Sequence, residues 1–78
     1  MKTMTCNQLG GACEQAFQAK TFDEMVQLSK AHATQMMQQQ ESTHLAAMQK
    51  MGALMKDPAT MQAWFTRKLA EFDALPVD

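Results

Sequence analysis

Two thiols and two imidazoles carry most of the chemistry that this sequence offers: Cys6, Cys13, His32 and His44. Thiolate sulfur and imidazole nitrogen are the usual ligands of tetrahedral zinc, and Cys6, Cys13 and His32 make three-quarters of such a set. The cysteines stand in a Cys-x6-Cys spacing, wider than the Cys-x2-Cys knuckle of zinc ribbons, so the sulfurs must be brought together by a hairpin. The fourth ligand is open. His44 lies twelve residues past His32, about 18 Å away along one continuous helix, and reaches the same ion only if the chain turns back near Gln40 to Ser42. Met37 is closer, but a thioether is a poor ligand for zinc and a fair one for Cu(I). The commoner reading stands beside the metal site: each thiol as a small buried apolar group, and His32 as a core-edge histidine bonded to a carbonyl. A third reading is redox chemistry through a Cys6–Cys13 disulfide, although no Lys, Arg or helix N-terminus stands obviously beside either sulfur to lower its pKa.

The elements that would position these groups follow from residue spacing. Residues 1 to 6 alternate, with Met4 and Cys6 on one face, and Gly10-Gly11 break the chain at a turn. A second alternation from Cys13 to Ala19 puts Cys13, Phe17 and Ala19 on one face. Residues 1–20 are therefore predicted to form a two-stranded antiparallel hairpin, with both cysteines near its loop end and facing the core. Thr21-Phe22-Asp23-Glu24 has the form of a capping box, in which the Thr21 side chain and the Glu24 backbone, and in return the Glu24 side chain and the Thr21 amide, satisfy one another. Phe22, Met25, Val26, Ser29, Ala33 and Met36 then make one stripe of a helix over residues 21–40. On a helical wheel with Phe22 at zero, His32 falls at about 280° and the stripe is centred near 340°, so the imidazole points partly toward the hairpin.

Ser42 or Thr43 is predicted to cap a second helix over residues 42–56, with Leu45, Met48, Met51 and Met55 on its apolar side. His44, Met48, Met51 and Met55 share one helical face, which reads as a packed or partner-binding surface before it reads as a soft-metal stripe. Asp57-Pro58 opens a third helix over residues 57–75, whose apolar positions are Met61, Trp64, Phe65, Leu69, Phe72 and Leu75, and Pro76 ends it. The expected fold class is α+β: an N-terminal two-stranded antiparallel β-hairpin followed by three α-helices, all one domain over residues 1–78.

Bulk properties narrow the function. A chain of 78 residues, 46% hydrophobic and 19% charged, belongs with small globular domains, whose burial scarcely offsets chain entropy without a metal, a disulfide or a second subunit. Seven basic against eight acidic residues give a net charge of −1, so no field exists to hold nucleic acid or an anionic membrane. The start of the chain lacks the apolar core of a signal peptide and no run approaches a membrane span, which with two cysteines predicts a cytoplasmic protein. Gly-rich phosphate loops, G-x-S-x-G and His-Glu-x-x-His are all absent, and a non-enzymatic protein is expected.

The segment Cys6-Asn7-Gln8-Leu9-Gly10-Gly11-Ala12-Cys13, followed by Thr21, Glu24 and His32, resembles the start of the domain of unknown function 1059 family of small, mostly bacterial proteins. The likeness covers residues 1 to about 37. It implies no established activity. The family's pattern carries a second His five residues after the first, and here that position is Met37. Residues 42–78 look like an extension that the family's short members lack.

The leading expectation is an interaction module that self-associates, as a homodimer or with another protein, through the second and third helices. It needs no cofactor. The alternative is a module binding zinc or copper through Cys6, Cys13 and His32, and the third is a thiol-redox protein.

Overall fold

Strand β1, Lys2–Thr5, pairs antiparallel with β2, Ala16–Ala19, in the register Lys2↔Ala19, Thr3↔Gln18, Met4↔Phe17 and Thr5↔Ala16. The structure, a computed structural model, describes residues 1–78, and three helices follow the hairpin: α1 Phe22–Gln38, α2 Ser42–Met55 and α3 Pro58–Ala74. This is the α+β architecture that the sequence predicts. Met4, Phe17 and Ala19 share the inner face, as their alternation requires.

Met4 and Ala19 meet Leu9, Met25 of α1 and Phe72 of α3 in the core, with Phe17, Phe22 and Leu75 packed around it. Helix α1 therefore crosses the apolar face of the hairpin, and Phe72 closes the far side, its ring edge-on to Phe22 at 5.9 Å between centroids. Lys2 ties the end of α3 to β1: its ammonium donates to the carbonyls of Phe72 and Asp73 at 3.1 and 3.0 Å, a favourable place for a cation. The Asp78 N–H donates to the Met1 carbonyl, and the Asp78 carboxylate accepts from Thr3 and Gln18, so the tail lies against the hairpin.

The loop end of the hairpin departs from the expectation. The second strand begins at Ala16, not Cys13, and Asn7–Leu9 forms a turn of 3-10 helix. The pairing slips by one residue there: Cys6 N–H donates to Gln15 O, as the register demands, but Asn7 N–H, which a regular ladder would turn away from the partner strand, donates to Cys13 O. Cys6 takes helical backbone angles, Gly10 sits at φ 93°, and Gly11 N–H returns to Cys6 O at 2.8 Å. The chain thus wraps around Cys6, which no simple alternation encodes.

The helix ends follow local chemistry. Thr21 caps α1 by accepting the Glu24 N–H at 3.2 Å. The reciprocal half of the predicted box is absent, because the Glu24 carboxylate takes the Thr21 hydroxyl instead. Asp57 caps α3 through the Ala59 N–H and the Thr60 hydroxyl, with Pro58 in the first turn, and Leu75 is extended as the residue before Pro76 must be. The cap of α2 is Glu41, not Ser42 or Thr43: its carboxylate accepts the Thr43 N–H at 2.9 Å.

Between α1 and α2 the chain reverses within three residues. Gln40 adopts φ 54°, Gln40 N–H donates to Met37 O and Glu41 N–H to Met36 O, the pattern of a Schellman stop. A left-handed conformation costs a non-glycine residue about 1 kcal/mol or more. Gln40→Gly is therefore expected to raise the melting temperature by roughly 2–8 °C, part of the relief being offset by the freer unfolded chain. A thermal melt followed by circular dichroism reads this directly, and an unchanged or lower midpoint would contradict it.

Candidate metal centre

Each of the four chemical side chains comes from a different piece of the fold. Cys6 stands just past β1 and is buried, Cys13 lies in the bend before β2, His32 is midway along α1, and His44 is in the first turn of α2. Their ligand atoms, two Sγ and two imidazole nitrogens, all lie within 4.8 Å of one another. Cys13 Sγ is 3.3 Å from His32 Nε2, and Cys6 Sγ is 3.6 Å from His44 Nε2. A tetrahedron of thiolates and imidazoles around zinc has edges of about 3.3–3.8 Å, so these two pairs already stand at coordination spacing. The longest separations close by roughly 1 Å through side-chain rotation.

The structure brings Cys6, Cys13 and His32 together and makes His44 the fourth member. The reversal at Gln40 is what allows it, since it folds the twelve-residue separation back on itself. Met37 takes no such place. Five residues past His32 on α1, it points about 140° away around the helix, and it is 52% exposed.

Local packing surrounds three of the four side chains, Cys6, His32 and His44. Gly11 makes room for the Cys6 sulfur: a Cβ at that position would stand 2.2 Å from Sγ. The His32 ring sits edge-on to Phe17 at 5.5 Å and to His44 at 5.2 Å. His44 is the one buried polar residue of the chain. Its Nδ1 bonds the Glu41 carboxylate at 3.2 Å, which leaves the Nε2 lone pair facing the thiols. A carboxylate behind a histidine, fixing its tautomer and raising its basicity, is the usual support of a metal-bound imidazole.

Cys6, Cys13, His44 and Glu41 perturb one another's protonation. Burial pushes the Cys6 thiol up, whereas the backbone N–H of Gln15, helped by His44 and Cys6, holds the Cys13 thiol down. The Thr43 hydroxyl and His44 bring Glu41 down to about 2, and Glu41 in turn raises His44. One acid and two bases are thus tied to two thiols in a single network. A cleft of about 240 Å³ opens on it, walled by Lys30, Met48 and Met51 besides Cys6, His32 and His44.

Two residues shape the site in ways that the sequence does not announce: Glu41, and Gly11, which reads there only as part of a turn. Glu41 precedes His44 by three positions, a spacing that places side chains on one helix face, and that was its signal. Glu41→Ala is expected to weaken metal binding roughly 10–100-fold, and Glu41→Gln, which keeps an oxygen for the Thr43 N–H, less. Competition against a chromophoric chelator measures both, and equal affinities in all three proteins would remove Glu41 from the site.

No family model, curated protein or solved structure matches this chain.

Proposed function

We propose that the chain is a zinc-binding module in which Cys6, Cys13, His32 and His44 hold one Zn²⁺. The observation that carries this is the convergence of four ligand atoms within 4.8 Å from four separate segments. Two thiolates with two imidazoles in a tetrahedral set suit zinc, and the exposure of Met37 takes away the thioether that would have favoured Cu(I). Four protein ligands leave no open position for substrate, so the ion's work is structural and the protein is not an enzyme. It would fasten α1 and α2 to the loop of the hairpin. Free thiols fit a reducing compartment, and we infer a cytoplasmic location; no helix is long and apolar enough to cross a membrane. We further infer a divergent relative of the domain of unknown function 1059 family, in which His44 from the next helix supplies the imidazole missing at Met37.

Metal analysis of protein purified without a histidine tag tests the reading. The expected result is one zinc per chain, replaceable by Co²⁺ with the visible bands of a tetrahedral sulfur–nitrogen field. Less than about 0.1 equivalent, with no thermal shift on adding zinc, would reject it.

The self-association expected from sequence keeps a narrower basis. Trp64 and Phe72 are buried within the chain, but Met61 and Leu69 remain 37% and 43% exposed on α3, with half-buried Phe65 between them. This stripe supports a second reading, a homodimer formed through α3. Sedimentation at micromolar concentration is expected to show a dimer, and a monomer there would discard it.

A further inference from the structure

We infer that Cys6 and Cys13 form an oxidative modification site, at which a peroxide converts the thiol pair to a disulfide and releases the bound ion. This rests on the zinc reading above and names its regulation. Both cysteines are free, and their sulfurs lie within 4.8 Å of each other. Their backbones are held side by side at the loop end, by Cys6 N–H to Gln15 O and Asn7 N–H to Cys13 O, each 2.8 Å. The sulfurs therefore close to the roughly 2.05 Å of a disulfide mainly by side-chain rotation. The ring so formed spans only residues 6 to 13 and leaves both flanking strands where they are.

The two sulfurs differ in access. Cys13 is half-buried and faces solvent in part, whereas Cys6 is buried at 5% exposure. Cys13, the more exposed of the two, therefore attacks first. Its sulfur displaces hydroxide from hydrogen peroxide as the O–O bond breaks, and becomes a sulfenic acid; the hydroxide takes a proton from solvent and leaves as water. The Cys6 sulfur then attacks the Cys13 sulfur, the S–S bond forms, and the S–O bond breaks to release a second hydroxide, protonated to water. Two thiolates have lost two electrons, one peroxide has become two waters, and two protons have been consumed. Only His32 and His44 remain as ligands, and two imidazoles hold zinc weakly. Reduction by a dithiol restores the four-ligand set.

The design of the fold favours this outcome over damage. A resolving thiol within 4.8 Å intercepts the sulfenic acid before a second peroxide drives it to the irreversible sulfinic state.

The test uses the full chain, loaded with zinc and counted by metal analysis, then treated with hydrogen peroxide beside a chromophoric zinc indicator. Metal-free protein is treated in parallel. The expected result is release of one zinc per chain together with a mass loss of about 2 Da, a Cys6–Cys13 linkage in the peptide map, and full rebinding after dithiothreitol. Protein that loads zinc and keeps it under peroxide overturns the inference alone. So does zinc release accompanied by sulfinic acid or by intermolecular disulfides without the Cys6–Cys13 linkage. Protein that takes up no zinc at the start fails the zinc reading and this inference with it, whatever the metal-free sample does.

Discussion

Zinc-loaded protein is expected to melt roughly 15–30 °C above the metal-free chain, when free zinc stands about a thousandfold above its dissociation constant. That excess contributes about 4 kcal/mol by mass action, and a domain of this size moves about 4–8 °C per kcal/mol. The size of the effect follows from where the apolar core lies. The cluster of Met4, Leu9, Ala19, Met25 and Phe72 draws on the hairpin, its loop, α1 and α3, but α2 adds nothing to it. The one buried residue of α2 is His44. A helix of fourteen residues is marginal in water on its own, and α2 is anchored through an imidazole where most helices use leucines. Chelation should therefore loosen α2 first. Hydrogen exchange is expected to show the amides of Ser42–Met55 losing protection on metal removal while the paired strands keep theirs. Uniform protection with and without zinc would mean that the apolar contacts of Met48, Met51 and Met55 hold α2 unaided. Because the thiols must be thiolates and the imidazoles neutral to bind the ion, the gap between the two melting curves should narrow as pH falls.

Much of this arrangement is legible in the sequence, and the illegible parts have identifiable causes. Thr21, Asp57-Pro58 and Pro76 mark helix ends by short-range chemistry that needs no tertiary contact, and the helices begin and end there, although only one half of the box at Thr21 forms. His32 does meet the cysteines, as its angle on the helix implies, but Cys13 arrives from the bend before β2 and not through the strand alternation expected of it. The choice between Met37 and His44 was different. It turned on whether Gln40, a residue with no preference for left-handed backbone, would take φ 54° and end α1 two residues before the end of the glutamine tract. Propensity argues against that, and tertiary packing decides it. The slip in the hairpin pairing at Cys13 was likewise invisible, since alternation cannot report a bulge. Glu41 was hidden by its neighbours: Ser42 and Thr43 are the better capping residues by rank, yet the carboxylate one position earlier both caps α2 and orients His44.

Gly11→Ala is expected to lower zinc affinity about 10²–10³-fold while changing the stability of the metal-free protein by only about 1 kcal/mol. Apparent zinc affinities of about 10–16 kcal/mol spread over four ligands give about 2.5–4 kcal/mol for each, which sets that range. A methyl at residue 11 would stand 2.2 Å from the Cys6 sulfur and 3.0 Å from the Cys6 carbonyl oxygen. The sulfur ends a side chain that turns about a single bond, so in the metal-free chain it swings aside at little cost. With zinc it has no such freedom, because coordination tolerates displacements of only about 0.2 Å. The substitution thus removes Cys6 from the site while leaving the thiol in place. A double-mutant cycle separates this from a general disturbance of the loop. If the methyl acts through the sulfur, then adding Gly11→Ala to Cys6→Ser should cost almost nothing more in affinity. If the two losses add in full, Gly11 supports the loop by another route, and its closeness to the sulfur is incidental.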